Sequence, residues 1–218
     1  MQNKNNNKED GNQKIEFKTL NVFGPRIGYV QLPKDVVARM MTITKDAIED
    51  KEKVKRNLSG VIREQIIIPI DILKKDNTYN ILNSLQEVYV SGFLKRKVVS
   101  QIKEMWFNRQ YENDYLPAHY HDTCTLSSVL YLKTPTYTPR TKDDKKHSDG
   151  CIVFMNNNNS SPEYSLENAT YSFRPSVGDF FIWPSRLLHC VYPFKGKGER
   201  RSVSFNGIHK IMPDEKTH

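Results

Sequence analysis

The chain has 218 residues, 37% of them hydrophobic, which suffices for one sizeable globular domain with a helical elaboration and excludes a wholly disordered chain. Its 33 Lys and Arg against 25 Asp and Glu give a net charge of +8, yet many lysines sit beside acids, as in Lys45-Asp46, Glu49-Asp50-Lys51-Glu52-Lys53 and Asp143-Asp144-Lys145-Lys146, the pattern of a solvated surface more than of a nucleic-acid groove. No apolar run reaches the roughly 18 residues of a membrane span, the N-terminus lacks the apolar centre of a signal peptide, and the three cysteines, Cys124, Cys151 and Cys190, form no CxxC pair. A reducing cytosol is the expected location.

Residues 1 to 12 bury nothing and are expected to form a disordered tail, after which Ile15, Phe17 and Leu20 begin an apolar alternation. From Lys34 the spacing predicts a helix: Val36, Val37, Met40, Met41, Ala47 and Ile48 form a stripe, Pro33 precedes the start and Asp35 sits in the first turn. A second helix is predicted from Tyr79 to Lys95, with Ile81, Leu82, Leu85, Val88 and Tyr89 inward and Asn83, Ser84, Gln86 and Glu87 on the polar face.

Beyond Val98, β-branched and aromatic residues dominate and turn residues separate short apolar runs. Strands are predicted at Ser100 to Asn108 (Ile102 and Trp106 on one face, Met105 and Phe107 on the other), Leu126 to Leu132, Cys151 to Met155, Asp179 to Trp183, Cys190 to Tyr192 and Arg200 to Ile208, spaced as in a sandwich or barrel. Two long polar connections, Lys133 to Gly150 and Asn156 to Thr170, are candidate lids. The division expected is a tail at 1–12 and a single domain at 13–218, helix-rich over 13–97 and mainly β over 98–210.

The chemistry concentrates in Pro117-Ala118-His119-Tyr120-His121. On an extended segment His119 and His121 project to one face, and His189 at the start of a later strand can meet them. Three protein ligands on one face, with open positions left over, is what a mononuclear iron site requires. Asp122 is the alternative second ligand, although in a regular strand it faces away from His119. Arg200 follows His189 by eleven positions, with Ser202 two further along the same strand face. A guanidinium is a rigid fork matched to a carboxylate and is more easily desolvated than an ammonium. Arg201 points the other way and is expected to be a surface charge. Trp106, Trp183, Phe181 and Phe205 read as core.

The order His-x-His, a later His, then Arg-x-Ser resembles the 2-oxoglutarate and Fe(II)-dependent dioxygenases. The likeness extends to Trp106-Phe107-Asn108, to Leu126–Leu132, to Pro175–Ser185 and to Arg200–Asn206, and covers roughly residues 80 to 210. It is similar in particular to a subfamily of oxygenases found in bacteria and tailed phages. The resemblance implies an α+β, mainly β chain with a double-stranded β-helix core of the jelly-roll or cupin-like kind and N-terminal helices packed on one sheet. It implies Fe(II) held by His119, His121 and His189, and 2-oxoglutarate bound through Arg200 and Ser202, with Tyr131 and Asn108 on neighbouring strands as further hydrogen-bonding residues. Dioxygen would be the third reactant, succinate the co-product and a hydroxylated substrate the outcome, the lead substrate class being a protein or peptide side chain such as proline. His121 departs from the Asp that many members carry there, which leaves the metal more positive.

Three other readings compete. A nucleic-acid oxygenase or demethylase of the same superfamily would use the basic run Lys195-Gly196-Lys197-Gly198-Glu199-Arg200-Arg201. A cupin-like metal-binding protein without oxygenase activity would keep the three histidines and make Arg200 structural. A structural β-sandwich, as in a virion, would make the histidines incidental. Amphipathic helices and a barrel edge leave room for a homodimer.

Overall fold

The computed structural model describes residues 18–20, 24–50, 61–75, 77–139, 148–156 and 169–213. The expected tail at 1–12 and the centres of both candidate lids lie outside the described residues.

Two antiparallel sheets enclose the site. The larger has the order β1 (Lys18–Leu20), β2 (Ile27–Gln31), β10 (Asp179–Pro184), β6 (Leu126–Lys133), β13 (Arg200–Ile211), β4 (Val98–Gln110) and β3 (Glu64–Ile67). The smaller runs β5 (Leu116–His119), β11 (Leu188–Val191), β8 (Ile152–Met155) and β9 (Thr170–Phe173). Two short strands, β7 (Thr136–Tyr137) and β12 (Gly196–Lys197), pair separately. This is the jelly-roll arrangement that the resemblance implies.

Helix α1 (Lys34–Glu49) follows Pro33, whose missing N–H costs nothing at a helix start, and turns Val36, Val37, Met40 and Ile43 inward. After the one-turn α2 (Ile70–Leu73), α3 (Thr78–Leu94) ends where Lys95 takes a left-handed conformation, φ 56°, and donates its N–H to the Ser91 carbonyl. The helices cover the outer face of the large sheet, where Met105, Phe107, Leu130, Leu132, Phe180, Ile182, Val203 and Phe205 form the main core with them. The opposite faces of the same strands supply Val129, Tyr131, Phe181 and Trp183, which meet Ile152 and Phe154 of the small sheet.

Burial on both faces explains two departures from expectation. Arg201 does point away from Arg200, but into the layer beneath α1 instead of into solvent: its Nε and Nη2 donate to Glu199 at 2.6 and 2.9 Å and its Nη1 to Thr44 of α1 at 3.1 Å. Arg109 and Lys133 also reach Glu199, at 3.1 and 3.4 Å, so one buried carboxylate gathers three cations. Gln86, expected on the polar face of α3, is fully buried, whereas Val88, expected inside, is 53% exposed. The inward stripe of α3 is Leu82, Leu85, Gln86, Tyr89 and Val90.

Ile102 is a third departure, because it joins Met105 and Phe107 in the main core while Trp106 faces the other way. The cause is a bulge. Asn206 of β13 pairs with Glu104 but Gly207 pairs with Ile102, so the extra residue Lys103 reverses the alternation of β4. At this point α3 comes so close that a Cβ on Gly207 would run into the Gln86 amide.

Candidate metal centre

Strand pairing assembles the imidazoles. In the antiparallel register of β5 and β11, His119 lies directly opposite His189, and their ring centroids are 4.3 Å apart. His121, just past the end of β5, is held by its backbone N–H donating to the Ser185 carbonyl at 2.9 Å, which sets its ring 5.3 Å from that of His119 and 5.5 Å from that of His189. One ligand nitrogen from each residue lies within 4.8 Å of the other two. Asp122 is turned out to solvent, its side chain 63% exposed and 3.9 Å from Arg186.

The backbone also selects the tautomers. His119 Nδ1 is 2.8 Å from the Pro117 carbonyl and His189 Nδ1 is 2.8 Å from the Leu187 carbonyl. A carbonyl oxygen only accepts, so both Nδ1 atoms carry the proton and leave the Nε2 lone pairs for a ligand. Burial, with His119 and His121 close by, pushes the His189 imidazole down to about 3, which keeps it neutral at physiological pH. Three close-set imidazole nitrogens are a donor set suited to a divalent transition metal.

These rings form part of the lining of a cavity bounded on other sides by Trp106, Trp183, Asn108, Tyr131, Ser128, Ser202 and Ser204. Trp106 packs 5.9 Å from His121, and Trp183 packs 4.9 Å from His189, centroid to centroid. Both tryptophans are therefore cavity wall rather than plain core, while Phe181 and Phe205 are core as expected. Asn108, Tyr131 and Ser202 all line the cavity. Burial pushes the Tyr131 phenol far up, despite the Arg200 charge nearby, so it remains a neutral hydroxyl.

Arg200 is fully buried but is not itself part of the cavity wall. Its Nε and Nη2 donate to Gln110 Oε1 at 3.2 and 2.6 Å, and its Nη1 to the Gly150 carbonyl at 2.6 Å. Gln110, which does line the cavity, has no counterpart in the sequence reading, and neither does Gln65 of β3, whose Nε2 donates to Asn108 Oδ1 at 2.6 Å. The period of two that places Trp106 and Asn108 inward continues to Gln110, and that was the available signal. His209 lies away from the site, its Nδ1 2.9 Å from the Thr125 hydroxyl; His147 and His218 fall outside the described residues.

A family model described as "Putative 2OG-Fe(II) oxygenase" matches residues 104–206, the stretch that carries all three imidazoles and Arg200. In sequence, no curated protein matches the chain. Among solved structures, a prolyl-4-hydroxylase of Pseudomonas putida is similar over 90% of this chain and 93% of its own, with 17% identity and a TM-score of 0.54. The α-ketoglutarate-dependent epimerase SnoN of nogalamycin biosynthesis is similar over 87% and 82%, at 14% identity and TM-score 0.56. A prolyl hydroxylase of Trichoplax adhaerens, solved with a peptide of a hypoxia-inducible factor, is similar over 88% and 83%, at 12% identity and TM-score 0.51. At such identities the likeness is one of fold.

Proposed function

We infer that this chain, which belongs to the 2-oxoglutarate- and Fe(II)-dependent oxygenase superfamily, hydroxylates a protein or peptide side chain, with proline as the first substrate to try. The observation that carries this reading is the convergence of three imidazoles on one cavity, with a buried arginine held behind Gln110 of its wall. The prolyl hydroxylases among the similar folds support the choice of substrate class, by analogy of fold.

In this reading His119, His121 and His189 hold Fe(II). Bound there, the metal would supply oxidative chemistry with dioxygen, while 2-oxoglutarate is decarboxylated to succinate. Arg200 offers the positive charge for the far carboxylate, and Ser202 and Tyr131 offer hydroxyls to it from neighbouring strands. Asn108 is oriented by Gln65 and adds an amide to the same wall. Trp106 and Trp183 close the space around the imidazoles, so that the reacting carbon meets little water.

The test is anaerobic addition of Fe(II) and then 2-oxoglutarate, read by the visible charge-transfer band of the chelate, followed by succinate release in air with proline-containing peptides. A band that requires His189 and weakens in Arg200→Ala supports the reading. Bound iron without a band would instead favour a three-histidine metal-binding protein, and no bound iron would overturn both.

A further inference from the structure

The Arg200 guanidinium has five N–H donors and no acceptor, so the oxygen of the Gln110 amide must be the atom that faces it. The chemistry of the pair therefore fixes which way the amide points, and the two Arg200 contacts at 3.2 and 2.6 Å hold it there. The amide nitrogen of Gln110 is buried and has no partner among the described residues, although Gln110 lines the cavity. A buried amide with free donors implies an acceptor that arrives with a ligand.

Arg200 shows the complementary pattern. Three of its N–H groups are committed, two to Gln110 and one to the Gly150 carbonyl, which leaves two at the end of the fork. Gln110 and Arg200 are paired residues in the register of β4 and β13, and the next inward residues on those strands are Asn108 and Ser202. A carboxylate has about four lone-pair sites, enough for both sets of donors.

We propose that Gln110 positions the cosubstrate by donating its amide N–H to the same far carboxylate that Arg200 attracts, a role that rests on the cosubstrate reading above. Gln110 then has two duties on two atoms: Oε1 orients the guanidinium and Nε2 holds the ligand. The pairing also selects length, because a 2-oxo acid must carry its second carboxylate far enough from the metal-chelating end to reach this pair.

The test is the affinity of anaerobic, Fe(II)-loaded protein for 2-oxoglutarate and for 2-oxopentanoate, which has a methyl group in place of the far carboxylate, in wild type, Gln110→Met and Gln110→Glu. Iron binding and Tm of each protein serve as controls. Loss of a hydrogen bond to a charged group predicts that Gln110→Met weakens 2-oxoglutarate by about 10- to 100-fold while changing 2-oxopentanoate by less than about threefold. Gln110→Glu is expected to weaken 2-oxoglutarate further, because its carboxylate neutralises Arg200 and repels the ligand. Equal losses for both ligands, or no loss for either, overturn the proposal, the first by making Gln110 merely structural and the second by making water the partner of its amide. Wild type that binds iron but neither ligand overturns the cosubstrate reading itself, and this proposal with it.

Discussion

His189 stands directly across the strand pair from His119, and each donates its Nδ1 proton to the carbonyl two residues before it in its own chain. Two histidines seventy residues apart are thus placed alike by one antiparallel register. The third, His121, depends on the Ser185 carbonyl, which belongs to the turn leading into β11. All three rings are therefore placed by the β5–β11 end of the small sheet.

Removing one of the opposed rings should remove the metal. Saturating a native site at about 100 times Kd stabilises a protein by about 2.7 kcal/mol, which raises Tm by several degrees. Wild type is expected to show such a rise with Fe(II) or Mn(II) under anaerobic conditions, and His189→Ala to show none. An equal rise in both would disprove the assignment of the ligands.

Arg200→Ala separates metal from cosubstrate. It is expected to retain iron, because the Arg200 hydrogen bonds go to Gln110 and Gly150, and to lose 2-oxoglutarate affinity by about 100-fold or more. It also strands the Gln110 and Gly150 oxygens that the guanidinium satisfied, for a loss of about 1–3 kcal/mol of stability. Calorimetry with 2-oxoglutarate and urea unfolding of the same variant measure the two effects.

Glu199 gives the fold an acid limit. Burial alone would raise its pKa, but the hydrogen bonds and charge of Arg201, with Lys133 and Arg109, hold it below the ordinary carboxylate range. A group depressed in the folded state contributes stability that is fully present above its unfolded pKa and is lost as pH falls through the folded one. Wild type should therefore lose stability on acidification below the usual glutamate range. Glu199→Gln should be less stable at neutral pH by about 1–3 kcal/mol, because it removes the charge opposite the buried Arg201, and its acid slope should be shallower. Urea titrations across a pH series check both; parallel curves would count against it.

Gly207→Ala should destabilise by about 1–3 kcal/mol, because the added methyl meets the buried Gln86 amide between α3 and the β4 bulge. Gln86→Ala in the same protein is expected to relieve most of that loss. Thermal unfolding of the two single variants and the double variant tests the coupling.

The positions of most strands and the grouping of His119, His121 and His189 were readable because both leave local marks: turn residues between apolar runs, and His-x-His on an extended segment. α1 was readable to within a residue or two for the same reason. What escaped was decided by neighbours distant in sequence. β13 is covered on one face by helices and on the other by the small sheet, so Arg200 and Arg201 are both buried and their alternation carried no sign of which, if either, met water. The phase of Ile102 depended on a bulge defined by the partner strand, and the burial of Gln86 on a glycine 121 residues away. Gln110 lies one strand period beyond Asn108, where the predicted strand ends.

The carbonyls of Pro117 and Leu187 accept the Nδ1 protons of His119 and His189 and so set which ring nitrogen faces the cavity. In many metal sites that duty falls to carboxylates lining the same chamber, so a change of wall composition also disturbs the ligands. Here the aim of two rings is written into the main chain, and the chamber's side chains stay available for substitution. A scaffold of this kind can exchange its substrate preference through single replacements while its reaction centre holds still.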